Sequence, residues 1–303
     1  MQFAESVVPS DTPEGSSGAT RPTDSDLDLF GITHVGLVRE ENQDHFLLAT
    51  VHPQLRIHGT SLPDAAALQM PGQRLASILL VADGVGGSAA GSEASRLATE
   101  AIMRYVTSTL RCYHTVGSSN DSEFMDALRE AAIEAHETVR AEARERLDGR
   151  DMATTLSLGI VVWPWLYVLQ VGDSRCYVFA EGQLRQVTRD QTIAQELVDR
   201  GVMTPEKAHA SPLNHVLSSA IGATEAMPEV TRVNVHARGT VILVCSDGLT
   251  KHVEDHEIAA HVAAMTSSEQ LCRALLALVL DRGGSDNVTL VVGRARPLGA
   301  EPA

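Results

Sequence analysis

The chain has 303 residues, of which 44% are hydrophobic and 21% charged. That is close to the average soluble globular composition and excludes wholesale disorder and a fibrous repeat. The length suits one large domain or two small ones, with enough apolar surface to form a core without disulfide staples. Acidic residues outnumber basic ones 39 to 24, for a formal charge of −15; such a field repels nucleic acid and anionic lipid and favours divalent cations.

Lys207 and Lys251 are the only lysines, and no GxxxxGK[ST] phosphate loop leads into either. Cys112, Cys176, Cys245 and Cys272 stand far apart without a CxxC pair, which argues for buried free thiols in a reducing compartment rather than a disulfide scaffold or zinc ribbon. Met1 to Ser10 has neither the basic start nor the apolar core of a secretory signal. The longest apolar stretch, Leu156 to Val171, is cut by Pro164 and is shorter than a membrane helix requires. A soluble, cytoplasmic protein with no membrane or nucleic-acid partner is the expectation.

Taken in chain order, residues 1–27 are rich in Ser, Thr, Pro, Gly and Asp and read as a disordered tail. Short runs rich in Val, Ile and Leu predict strands at Asp28–Val35, His45–Val51 and Ala76–Ala82, the last two separated by a Pro- and Gly-bearing surface loop at His52–Gln73. Helical spacing of apolar residues predicts Ala89–Leu110 and Glu123–Leu147, with Ser122 as a cap for the second. Strands follow at Thr155–Val162, Leu166–Val171 and Arg175–Ala180, with Trp163 and Trp165 flanking Pro164 at a hairpin where packing is their expected role. After a helix at Ile193–Arg200 and an irregular region come strands Val230–His236 and Thr240–Cys245, helices Asp255–Met265 and Ser268–Arg282, a strand at Asn287–Val292, and a loose tail over 296–303.

Strands and helices are therefore grouped rather than strictly alternating. Grouping implies an α+β fold with mainly antiparallel sheets, and two sheets face to face with a helix pair on each outer side fit this order.

One pattern recurs along these elements. An apolar strand runs into an aspartate followed by small or turn-forming residues at Asp83-Gly84, Asp173-Ser174 and Asp247-Gly248, while Asp286 and Asp44 come just before strands. A single Asp-Gly at a strand end is usually only a turn. Five at one sheet end would bring carboxylates together, and their repulsion would call for cations. Oxygen ligands without nearby His or Cys select Mg²⁺ or Mn²⁺.

Other motifs carry less. Gly84-Val85-Gly86-Gly87-Ser88-Ala89 satisfies the loose dinucleotide fingerprint. However, Asp83 would face a pyrophosphate, and the helix leads to another helix rather than the next strand of a βαβ unit. A dinucleotide-dependent oxidoreductase would show NAD binding at this loop. His252 and His256 are four apart without the Glu position of a zinc protease, and read as a polar helix start. No GxSxG elbow and no Cys followed six residues on by Arg supplies a nucleophile.

Arg39…Asn42-Gln43-Asp44, Val81 to Gly87, Thr154-Thr155-Leu156, Val171 to Arg175, Ser246 to Leu249 and Asp286 to Thr289 resemble, in this order, the signature blocks of the metal-dependent protein phosphatase 2C (PPM) family. The resemblance spans Phe30 to Val292 and looks like the bacterial branch. It implies a β-sandwich of two mainly antiparallel sheets flanked by helix pairs, over residues 28–295, with a flap at about 190–224. It implies a protein serine/threonine phosphatase that uses two core Mn²⁺ or Mg²⁺ ions and sometimes a third. Asp83 would bridge two ions, with the Gly84 carbonyl completing one of them, Asp247 and Asp286 would hold the first, and Asp44 would act near them through water. Asp173 with Asp247 matches a third, weaker site, and Arg39 matches the arginine that grips the substrate phosphate.

Two positions depart from the pattern. Gln43 stands where the family often has a Glu ligand, and Val85 where some members have a His proton donor. The second reading is therefore a pseudophosphatase, a phosphoprotein-binding module weakened in metal capture. Either reading implies phosphorylated proteins and a cognate serine/threonine kinase as partners in signalling, and a monomer.

Overall fold

The computed structural model describes residues 20–53, 73–86, 88–116, 121–146 and 152–297. Two antiparallel sheets lie face to face. One has the order β1 (Leu27–His34), β11 (Val288–Ala295), β10 (Val241–Cys245), β7 (Arg175–Ala180), β8 (Gln183–Gln186). The other has the order β2 (Asp44–Val51), β3 (Ala76–Val85), β5 (Leu156–Val162), β6 (Trp165–Val171), β9 (Glu229–Asn234), with the short β4 (Ala153–Thr154) beside the end of β3.

The side-chain period of two decides which residues meet where. On β3, Leu79 and Val81 face the opposing sheet, where they pack with Cys176, Val178, Ile242, Val244 and Val291 alongside Leu166 and Val168 of their own sheet. Ile78, Leu80 and Ala82 face outward under α1 (Ser88–Val116) and α2 (Asp121–Arg146). Every residue from Ala76 to Ala82 is buried for this reason, and the strand reads as a continuous apolar run. Small residues Ala94, Ala98 and Ala101 let α1 lie close to the sheet, and the Phe124 ring of α2 meets Tyr167 edge-on at 4.8 Å. The other outer face carries α6 (Asp255–Ala263) and α7 (Ser268–Asp281), which bury Ile258, Val262, Leu271, Leu275 and Val279 on Leu243, Leu290 and Val292.

Between β8 and β9 run α3 (Ile193–Asp199), α4 (Pro205–His209) and a 3-10 turn at Pro212–His215, opened by the hydroxyls of Thr192, Thr204 and Ser211. Sequence periodicity predicts only the first, because the others are too short to show a repeat. β8 was also outside the prediction. It offers one apolar residue, Leu184, and is formed by the hairpin turn in which Glu181 and Gly182 both take positive φ.

Three expectations need correction or limiting. The predicted disordered tail, 1–27, is too long: Asp24–Asp26 forms a 3-10 turn held by ion pairs from Arg74 to Asp24 and from Arg238 to Asp26, and residues 1–19 lie outside the described residues. Ser122 is not a cap, since α2 starts at Asp121, whose carboxylate takes the Tyr167 hydroxyl at 2.6 Å and an ion pair from Arg232. Arg296 donates its N–H to Asp26 at 2.8 Å, so the loose C-terminal tail begins after it; residues 298–303, the greater part of the 52–73 loop and Leu147 are outside the described residues. Cys176, Cys245 and Cys272 are buried free thiols. No described helix is long and apolar enough to cross a membrane.

Leu80 is fully buried between sheet and helices. Truncation to alanine is expected to cost about 2–5 kcal/mol of unfolding free energy by urea denaturation, as for other large-to-small core changes; a loss below about 1 kcal/mol contradicts the packing described.

Candidate metal centre

The same alternation places acids in the seam between the sheets. Asp83 continues the inward row Leu79, Val81, and Asp44 continues the inward row Phe46, Leu48. The β2–β3 register sets Asp44 directly opposite Asp83. Two carboxylates facing each other across neighbouring strands repel. From the other sheet, Ser246 and Thr289 lie at the ends of β10 and β11 and hold one oxygen of Asp44: Ser246 Oγ donates to Oδ2 at 2.8 Å and Thr289 Oγ1 at 2.7 Å.

Asp247 opens the one-turn helix α5 (Asp247–Thr250) directly after β10, and Asp173 sits in the turn between β6 and β7 beside Gly172, whose φ is +99°. Asp286 precedes β11. It is gripped by Arg39, with Nε 2.7 Å from Oδ1 and Nη2 2.9 Å from Oδ2, and by Lys251 Nζ at 2.7 Å from Oδ2. Lys251 also reaches Asp247 Oδ2 at 2.6 Å. Arg39 pairs with Asp286 rather than with Glu40 or Asp44, and Arg175 pairs with Asp190 rather than with Asp173.

Asp83 thus lies within electrostatic reach of Asp44, Asp173 and Asp247, while Asp286 joins through Lys251. Desolvation, then the charges of Asp44, Asp247 and Asp173, pushes the Asp83 carboxyl well above the usual range. Asp173 is raised by burial and then by Asp247 and Asp190. Asp44 is raised to about 6 by burial and the charge of Asp247, against the bonds from Thr289 and Ser246. Asp286 goes the other way: partial burial would raise it, but Arg39 and Lys251 hold it below the usual value.

Two observations bear on whether cations fit here. Asp44 Oδ1 and Asp247 Oδ1 are buried and accept no hydrogen bond, leaving lone pairs that a hard cation would satisfy. Against that, no three His, Cys, Asp or Glu side chains among the described residues are already drawn into a metal cage. The cationic ends of Lys251 and Arg39 lie against Asp247 and Asp286. The donor set, carboxylates without His or Cys, fits Mg²⁺ or Mn²⁺.

The backbone around the acids is tightly fixed. Gly84 passes so close to the Gly91 carbonyl of α1 that no side chain fits, and its N–H donates to the Gln43 carbonyl at 3.3 Å. The Gln43 side chain lies against Gly91. Gly36, at φ +83°, abuts the Asp286 carbonyl, so the Arg39 loop and the Asp286 loop form one unit. Val85 is exposed beside the site and has no proton to donate. A cleft of about 730 Å³ runs from Arg39, Asp173, Asp247 and Asp286 to His209, Asn214 and His215 of the 190–224 segment.

Sequence reasoning missed Asn287 and Lys251. Asn287 donates to the carbonyls of Val35 and Glu41, both at 2.9 Å, and accepts the Gln43 N–H at 2.8 Å. It fastens the loop that carries Arg39 and Gln43 to the start of β11. Its position directly after Asp286 was the available signal.

The protein phosphatase 2C family profile matches residues 55–280, a span that contains Asp83, Asp173 and Asp247 but not Arg39, Asp44 or Asp286. The chain belongs to the protein phosphatase 2C family. It is 34% identical over 217 residues to serine/threonine protein phosphatase PstP of Mycobacterium tuberculosis, covering 72% of this chain and 40% of that protein. The chain thus spans about 40% of the length of the PstP relatives it matches. It is 29% identical over 215 residues to the serine/threonine phosphatase stp of Listeria welshimeri, covering 71% of this chain and 83% of the relative. Among solved structures, the PstP catalytic domain in complex with two manganese ions superposes with a TM-score of 0.67 at 28% identity, over 89% of this chain and 99% of that one. The α+β sandwich with its two antiparallel sheets agrees with these neighbours.

The raised Asp44 value carries a pH signature. The folded state holds this proton more tightly than the unfolded chain, so the contribution is fully present below about 4 and is lost as pH rises through about 6. In chelator, Asp44→Asn is therefore expected to raise the melting temperature relative to wild type at pH 7.5 by more than at pH 5. Comparing the two proteins cancels His45 and His136, whose lowered values act oppositely in the same window. An equal difference at both pH values contradicts the assignment.

Proposed function

We propose that this chain is a Mn²⁺- or Mg²⁺-dependent protein serine/threonine phosphatase, acting on phosphoserine and phosphothreonine in proteins. The observation that carries this reading is the set of mutually repelling acids at the sandwich seam, two of them with buried oxygens that accept no hydrogen bond, in a chain of the phosphatase 2C family. Two manganese ions in the related PstP structure support the choice of metal.

Asp83 and the Gly84 carbonyl would serve the two core ions, Asp247 and Asp286 would hold the first, Asp44 would act beside them through water, and Asp173 with Asp247 would hold a third. When bound, the ions polarise the phosphoryl group and make hydroxide accessible from water near neutral pH. The chain's own groups do the rest. Arg39 is more than half exposed at the cleft, and its planar fork suits two oxygens of a phosphate monoester once it turns from Asp286. Ser246 and Thr289 fix the Asp44 carboxylate and leave Oδ1 as its working oxygen. Gly84, near the end of β3, packs against the Gly91 carbonyl where a Cβ does not fit, which fixes the backbone whose carbonyl would serve the ions. Since Val85 offers no proton, water or another side chain protonates the leaving oxygen.

The functional unit is the sandwich over 28–295 with its flap at 190–224, acting as a monomer in cytoplasmic signalling against a cognate serine/threonine kinase. Phosphorylated proteins are the substrates, and the broad charged cleft has the breadth for a peptide.

Assays with millimolar Mn²⁺ on a small aryl phosphate and on a phosphothreonine peptide test this. Turnover is expected, abolished by chelator and by Asp83→Asn; no turnover at any Mn²⁺ level supports the phosphoprotein-binding module instead. Arg39→Ala is expected to lower kcat/KM by about ten- to a hundredfold, the worth of a charge-assisted hydrogen bond. A change below twofold removes Arg39 from the phosphate site.

A further inference from the structure

Lys251 has no role in the reading above, yet it sits in the middle of the acids. Asp247 and Lys251 lie one helical turn apart, and an i,i+4 ion pair on a helix is by itself unremarkable. The second contact sets this lysine apart. Its Nζ is 2.6 Å from Asp247 Oδ2 and 2.7 Å from Asp286 Oδ2, and Asp286 lies 35 residues further along the chain on another element. The ammonium spans the gap between two carboxylates, with its side chain 22% exposed. It is one of only two lysines among 303 residues, the other being Lys207 on the flap.

We propose that Lys251 is a resident counter-cation of this centre. It holds Asp247 and Asp286 together in the metal-free protein and must withdraw before a divalent ion takes the same two oxygens. The inference rests on the reading of Asp247 and Asp286 as metal ligands. A divalent ion of this type sits about 2.0–2.1 Å from its oxygens, and an ammonium already in contact with both Oδ2 atoms leaves no room for it between them, although Asp247 Oδ1 stays open. Lys251 therefore opposes loading at this position, and the observed affinity is the difference between the ion's attraction and the ammonium's. The same contact relieves repulsion when no ion is bound. Four flexible carbons let the ammonium retreat towards the cleft, whose wall it already forms.

The experiment is a Mn²⁺ titration of the full chain by calorimetry, with melting curves in chelator, for wild type, Lys251→Met, Lys251→Arg and Asp83→Asn. Lys251→Met is expected to bind Mn²⁺ about tenfold more tightly, a size known for residues that tune metal sites from outside the ligand set, and to melt at a lower temperature in chelator. Lys251→Arg keeps the charge and is expected to stay within about threefold of wild type in affinity. Should Lys251→Met prove unfolded without metal, Lys251→Gln takes its place in both measurements. Unchanged or weaker Mn²⁺ binding by the neutral variants, or a gain in Lys251→Arg equal to theirs, overturns the proposal while Asp83→Asn still loses binding. Mn²⁺ binding by Asp83→Asn at wild-type strength overturns the metal-centre reading itself, and this inference with it.

Discussion

Like charges forced together at the end of a hydrophobic seam are the constraint around which this molecule is organised. The inward rows of β2 and β3 are apolar until their last residues, Asp44 and Asp83, which the strand register sets face to face. An isolated pair of strands would splay or slip to separate them. Here slippage would turn Leu79 and Val81 out of the inter-sheet core and Ile78 and Leu80 out from under the helices. Burial of a whole strand on both faces thus holds a local arrangement that electrostatics opposes.

The opposing sheet supplies compensation. Ser246 and Thr289 reach across the seam to one oxygen of Asp44, and Thr289 is itself linked to Thr33, which accepts a bond from Asn42. This chain of hydroxyls ties β1, β2, β10 and β11 to a single carboxylate. Asn287 does the same for backbone, joining the loops on either side of Arg39. Positive charge reaches Asp286 from Arg39 and from Lys251, which also contacts Asp247. Desolvation and neighbouring acids raise the proton affinities of Asp44 and Asp83, in Asp44 against its hydroxyl bonds, while Arg39 and Lys251 lower that of Asp286.

Much of this was legible in the sequence, because the strands covered on both faces are apolar throughout and the long helices repeat cleanly. The aspartates stood out for ending such runs. Their convergence was not legible from spacing, since it depends on which strands pair and on the parity of each row; only the family resemblance linked them. Lys251 stayed hidden because its relation to Asp247 exists only if a helix begins at Asp247, and four residues give no periodic signal. β8 has too few apolar residues to show a pattern, and Asp24 and Asp26 look like solvent-facing acids until Arg74 and Arg238 arrive from afar.

The last strand, β11, lies inside its sheet, between β1 and β10, and carries Asp286, Asn287 and Thr289 at its threshold. The two strands it joins are separated by about two hundred residues of sequence. During synthesis, then, the first strand waits with an unpaired edge until the residues of β11 have left the ribosome, and the anionic pocket stays open-ended throughout that wait. Long-range pairing of this kind is slow to close, so the Asp44 carboxylate meets its Thr289 hydroxyl only in a late step, when one segment slots in between two strands that are already made.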